Sequence, residues 1–120
     1  MSIPDQIREQ REVLRAFPQS FLLVSGGLTG TPPTLQVVHR GFIIEPRFPL
    51  NYPYEPPLIY LRSFDARASL RSRHYYVHPG EQTPRLCWCQ PSDWSPRMGL
   101  LVAVCSAMRF INDYLARRVD

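Results

Sequence analysis

The chain contains no lysine. Its 14 cationic side chains are all arginines, and against 10 acidic residues they give a net charge of +4. No side chain therefore offers an amine that an amine-modifying enzyme could attack on itself. The arginines are spread along the chain and not clustered, which argues against a nucleic-acid partner and leaves an acidic protein surface as the natural complement. Cysteine is scarce: Cys87, Cys89 and Cys105 are an odd number, and the first two are too close for an ordinary structural bridge. A disulfide framework is excluded on that count, and a reducing compartment fits better. No apolar run approaches the roughly 20 residues that cross a bilayer, and the start does not have the charged-then-apolar form of a secretion signal. The expectation is a soluble, cytoplasmic protein with no membrane partner. There is no internal repeat.

What is abundant is proline, with 13 residues, yet the apolar share of 44% is ordinary for a globular chain and argues against disorder. A length of 120 residues suits one domain, 1–120, around one core. Ser2-Ile3-Pro4-Asp5 reads as a capped helix start, with Ser2 as N-cap and Pro4 in the first turn, where its missing N–H costs little. That helix runs to about Ala16 and stops at Pro18. Ile7, Val13, Leu14 and Phe17 give it a thin apolar face. Arg8, Arg11 and Arg15 fall on one side of it, either as a solvated face among Glu9 and Glu12 or as a docking stripe for a protein partner.

Phe21–Ser25, Thr34–His39, Phe42–Arg47 and Leu58–Leu61 read as strands, with Arg40-Gly41 turning the second into the third: an antiparallel meander. Between the last two lies Phe48–Pro57, too dense in proline for regular structure but suited to a rigid extended path on which Tyr52 and Tyr54 pack. From Arg62 to Arg85 no element is convincing, and a connection that long is usually functional. Ser95 is placed to cap a final helix with Pro96 at its first position. Leu101, Cys105, Met108, Ile111 and Leu115 repeat there at helical spacing and predict its buried face. The layout is α+β: helix, four strands, long loop, helix.

His78–Pro96 holds a histidine, two cysteines and two tryptophans in a loop just ahead of that helix. A lone cysteine is most often a small core residue, which suits Cys105. Cys87, bracketed by Leu86 and Trp88 in a loop, is the candidate nucleophile. Only one thiol of the Cys87-Trp88-Cys89 triplet is expected to face a cleft. A zinc site from the pair with His78 or His74 lacks the second ligand pair that such sites use. A Cys–His hydrolase with His78 as base lacks a residue to orient the histidine. A thiol-based redox module remains a third option.

Taken together, Phe48-Pro49-x-x-Tyr52-Pro53-x-x-Pro56-Pro57, a strand, His78-Pro79, Leu86-Cys87-Trp88, and Trp94-Ser95-Pro96 opening a helix resemble the ubiquitin-conjugating enzymes. The order of these motifs is the family's, and they span most of the chain. Cys87 lies nine residues after His78 and seven before Trp94, which singles it out over Cys89. The chain departs from the family at Gly80, where an asparagine follows the His-Pro pair. It also ends after one helix beyond Trp94-Ser95-Pro96, as in the stand-alone enzymes of bacterial ubiquitin-like operons associated with antiphage defence.

The resemblance implies a conjugating-enzyme fold and a transferase. Cys87 would accept the C-terminal carboxyl of a ubiquitin-like protein, as a thioester, from an activating enzyme, and pass it to an amine on a protein target. No cofactor and no metal are implied. His78 and Asp93 are the further candidates around the thiol, Asp93 as a base for the incoming amine or as an ordinary loop aspartate. Arg8, Arg11 and Arg15 match where the family docks its activating enzyme. The alternative is a non-catalytic module of the same fold that binds a ubiquitin-like protein or scaffolds a complex. Retention of Cys87 favours the enzyme, and loss of the asparagine favours the binder.

Overall fold

The computed structural model describes residues 2–23, 33–63, 75–77 and 79–116. Helix α1 spans Ile3–Ala16 and opens as its sequence requires: the Asp5 amide donates to Ser2 Oγ at 3.3 Å, and Pro4 sits in the first turn. It ends at Phe17, whose N–H donates to the Val13 carbonyl, and Pro18 follows. Strands β1 (Ser20–Leu23), β2 (Thr34–His39), β3 (Phe42–Arg47) and β4 (Leu58–Ser63) then form the antiparallel meander. Residues 24 and 25, at the end of the expected first strand, lie outside the described residues.

Two short strands extend this sheet. β5 (Tyr75–Tyr76) and β6 (Arg85–Leu86) give the order β1-β2-β3-β4-β6-β5, with every neighbouring pair antiparallel. The stretch 62–85 is thus not devoid of structure. Two-residue strands carry no readable alternation, and it is the pairing of β6 with β4, and of β5 with β6, that creates them. Helix α2 (Gly99–Leu115) lies on the sheet against β3 and β4, and α1 packs on α2 and β1. The chain is therefore α+β, with a helix, an antiparallel sheet and a second helix in that order.

The core forms on one face of the sheet because strand residues alternate sides. Leu35 and Val37 of β2, Phe42 and Ile44 of β3, Ile59 and Leu61 of β4 and Leu86 of β6 are all buried there. Leu100, Ala103, Val104, Ala107 and Ile111 cover them from α2, and Val13 joins from α1. This face of α2 is rotated from the expected one. Cys105 is exposed and Leu101, Met108 and Leu115 are only half-buried, because alanines at 103 and 107 let the helix approach the sheet closely. Among the expected loop packing, Tyr52 is buried but Tyr54 is 80% exposed.

The start of α2 also differs from expectation. Ser95 and Pro96 form a turn, with the Met98 amide donating to the Ser95 carbonyl at 3.0 Å, and the helix begins only at Gly99. The cap comes from another element. Glu9, near the middle of α1 and only 8% exposed, accepts the Leu100 amide on Oε1 at 2.9 Å and the Tyr52 hydroxyl at 2.6 Å. A carboxylate here completes a helix N-terminus, where backbone donors are unpaired and the dipole favours negative charge. Gly99 has a φ of +77°, and a Cβ there would lie 3.2 Å from Glu9 Oε1. Helical periodicity on α1 gave no hint of this, since Glu9 reads as a surface charge.

Glu9→Ala strands a buried amide and a buried hydroxyl, and is expected to cost about 2–4 kcal/mol. Gly99→Ala is expected to cost about 1–2 kcal/mol through its left-handed backbone and the close carboxylate. The exposed Glu12→Ala should stay within roughly 0.5 kcal/mol of the parent chain. Urea unfolding followed by tryptophan fluorescence measures all three.

Candidate active site

Proline carries a carbonyl but no N–H, so a proline-rich segment cannot enter a strand ladder and leaves acceptors unused. In this chain tryptophan donors take two of them. Trp94 Nε1 donates to the Pro53 carbonyl at 2.7 Å, and Trp88 Nε1 donates to the Pro57 carbonyl at 3.0 Å. The rings also meet each other. Phe48 and Tyr52 pack edge to face at 4.7 Å between centroids, Trp88 and Trp94 at 5.9 Å, and Tyr52 lies tilted against Trp94 at 6.1 Å. The peptide between Tyr52 and Pro53 is cis. The Phe48–Pro57 segment and the segment carrying the thiols are thereby clamped side by side.

Cys87 follows β6 directly and is half-buried. It lines a cleft of about 130 Å³ together with Pro56, Pro57, Leu58, Arg85 and Cys89. The expectation that only one of the two thiols faces a cleft does not hold: residues two apart in extended chain share a side, and Cys87 and Cys89 both border this cleft. Cys89 is half-buried and donates its proton to the Gln90 carbonyl at 3.0 Å. Burial first, then the Asp93 carboxylate and then Cys87 push the Cys89 thiol up from its ordinary value. Cys105, exposed on α2, lies with Leu101, Val102, Ser106 and Arg109 on a separate groove of that helix.

Asp93 ends a short 3-10 turn, Pro91–Asp93, and is exposed. It lines an adjoining cavity of about 200 Å³ with Trp88, Cys89, Met98, Val102 and Ser106. Trp88 and Cys89 therefore form the wall between the Cys87 cleft and Asp93. His78 and His74 lie outside the described residues. Gly80 has a φ of +82° and open space around the position a Cβ would take. Arg8, Arg11 and Arg15 are all exposed on α1, with Arg8 paired to Asp5 at 3.0 Å. Among the described residues no group of three or more histidine, cysteine or acidic side chains converges as metal ligands do.

Arg85 is a cleft residue that sequence patterning does not pick out. It borders Cys87, pairs with Glu81 at 2.6 Å and lies over the Tyr60 ring at 5.3 Å. Tyr60 donates to Glu81 in turn and carries Arg47 at 3.9 Å from its ring centroid. The network continues across the sheet to Glu45, which is 2% exposed. Its carboxylate accepts from Gln36 at 2.9 Å, Arg47 Nε at 2.7 Å and Arg62 at 2.9 Å. The register explains the alignment: Tyr60 stands opposite both Glu45 and Arg85.

Chemically, the cleft offers a thiol beside a cation already engaged by a carboxylate. No carboxylate or imidazole among the described residues lines it. Such a thiol suits attack on an acyl group that is already activated, where no adjacent base is needed to form the nucleophile's target. No described helix is long and apolar enough to cross a membrane. Comparison with protein-family models, with curated proteins and with solved structures finds no match to this chain.

Burial works against the charge on Glu45, but the Gln36 and Arg47 hydrogen bonds and the positive Arg47 and Arg62 outweigh it and hold the carboxyl below its ordinary value of 4.5. A carboxyl lowered on folding contributes stability above its unfolded pKa and loses it as pH falls through the folded one. The stability gap between the parent chain and Glu45→Gln is therefore expected to be widest near neutrality and to narrow progressively below pH 4.5. Urea midpoints of the two proteins at neutral and acid pH check this.

Proposed function

We propose that this chain is a conjugating transferase of the ubiquitin-conjugating kind, which carries a ubiquitin-like protein as a thioester on Cys87. One observation carries the reading. Two of the motifs that resemble that family, the proline-rich segment and Trp94, are tied beside the Cys87-Trp88-Cys89 segment by tryptophan-to-proline hydrogen bonds spanning 31 and 41 residues of chain and by the Trp88–Trp94 ring contact. The α+β order of the elements agrees with it.

In the first step the Cys87 thiolate attacks the thioester carbonyl presented by an activating enzyme. The new S–C bond forms as the old one breaks, and the activating enzyme's thiolate leaves. The donor and product are both thioesters, so the step is nearly balanced and needs a nucleophile positioned in an open cleft more than a strong base. In the second step an amine attacks the Cys87 thioester, Cys87 leaves as thiolate, and the amine gives up a proton. Asp93, across the Trp88–Cys89 wall, is the described carboxylate in the cavity next to the cleft, and it is assigned the acceptor of that proton. His78 is assigned to the same loop by its motif. The exposed arginines at 8, 11 and 15 supply a cationic face for the activating enzyme.

Gly80 bears on the second step. Its left-handed backbone is a conformation that glycine adopts freely and asparagine tolerates. The loop can therefore keep the path an asparagine would follow while lacking its amide donor. With the matching ubiquitin-like protein, activating enzyme and ATP, a non-reducing gel should show an adduct that reductant destroys. It should be absent in Cys87→Ala and present in Cys89→Ala; an adduct that survives in Cys87→Ala overturns the assignment. Gly80→Asn meets no atom within 4 Å of the new Cβ. It is expected to leave loading unchanged and to speed discharge to an added amine by about tenfold or more, as an extra oxyanion donor does.

A further inference from the structure

Cys87 and Cys89 border one cleft, both are free, and both are half-buried. The relay uses one of them. We propose that Cys89 is a resolving thiol, and that with a peroxide it closes a reversible Cys87–Cys89 disulfide that takes the nucleophile out of action. The consequence for the relay rests on the function proposed above; the disulfide itself does not.

Chain geometry permits it. Two residues of extended chain span at most about 7 Å, and disulfides join Cα atoms roughly 4.4–6.8 Å apart, so a slight bend at Trp88 suffices. A bridge across one intervening residue closes a small ring. Such a bridge is a poor structural staple, but strained and accessible disulfides are the ones that form and break reversibly. Cys89 also suits a resolver's part. It is held as a protonated thiol on the Gln90 carbonyl, and burial first, then the Asp93 carboxylate, disfavours its thiolate. It therefore waits while Cys87 reacts.

The chemistry balances in two steps. The Cys87 thiolate attacks one peroxide oxygen, giving a sulfenic acid and hydroxide; sulfur loses two electrons and the peroxide gains them. Cys89 then attacks the sulfenic sulfur, the S–S bond forms, and the sulfenic hydroxyl leaves with the Cys89 proton as water, while the hydroxide from the first step takes up the proton that the Cys87 thiol released. The sum is two thiols and one hydrogen peroxide giving a disulfide and two waters. A dithiol reductant reverses it.

The chain's composition makes the test direct. With no lysine, trypsin cuts only at arginine, and the peptide Leu86–Arg97 holds Cys87 and Cys89 but not Cys105. After mild hydrogen peroxide treatment of the full chain, that peptide is expected to be lighter by two hydrogens. Titratable thiols in the unfolded protein should drop from the three free cysteines to one, and dithiothreitol should restore all of them. In Cys89→Ser the same treatment should instead add oxygen atoms to Cys87, as sulfinic or sulfonic acid that dithiothreitol does not reverse. Oxygen addition in the parent chain as fast as in Cys89→Ser, or a bridge from Cys87 to Cys105 or to another molecule, overturns the proposal. Thioester loading is measured separately. A reduced chain that never loads counts against the relay alone, and loading lost to peroxide but regained with dithiothreitol only when Cys89 is present joins the two.

Discussion

A single buried carboxylate holds the separate pieces of this protein together. Glu9 reaches out of α1 to the first turn of α2 and to the Tyr52 hydroxyl at the same time. Burying a charge is costly unless donors surround it, and here the donors come from a helix N-terminus and a phenol. Burial and the Glu9 bond push the Tyr52 hydroxyl far above its ordinary value, which favours its role as the donor to that carboxylate. Glu9 serves both donors, and its removal leaves a buried amide and a buried hydroxyl without their acceptor.

From Tyr52 the constraint passes to the thiols. Tyr52 packs against Phe48 and Trp94, Trp94 against Trp88, and each indole N–H is tied to a proline carbonyl. Cys87 and Cys89 flank Trp88 in sequence, so anchoring that indole to Pro57 holds the thiol segment against the proline-rich one. On the opposite side β6 pairs with β4 and carries Arg85 into the cleft, and the Arg85–Tyr60–Glu45 network links the cleft to the middle of the sheet. The thiols thus sit between two rigid supports, one aromatic and one ionic. A loop held this way can present a nucleophile without the entropy of searching for its position.

Much of the fold is legible from residue order alone, and the reasons differ by element. Ser2 and Pro4 mark the start of α1 because capping depends on a few adjacent residues. The alternation of Leu35, Val37, Phe42 and Ile44 marks the meander because a strand's two faces are written at period two. Helix α2 is legible as a helix but not in its phase: Leu101, Cys105 and Met108 fit an apolar stripe as well as Leu100, Val104 and Ala107 do. Close packing through small residues chose between them, and that choice put Cys105 in solvent. Ser95 looked like the cap for the same reason that Glu9 did not, since a cap donated from another element leaves no local pattern.

Order along the chain by itself determined the helix–strand–helix succession, the turn at Arg40-Gly41, the rigid proline-rich segment and the prominence of Cys87, because each rests on neighbours a few residues away. Tertiary structure alone decided that Glu9 is buried, that Cys105 is exposed, and that Pro57 and Leu58 close a cleft against Cys87 and Cys89. Those facts depend on which surfaces meet across 31 to 91 residues of chain, and contacts at that range are fixed by packing and by the need to pair every buried polar group, which no local periodicity records.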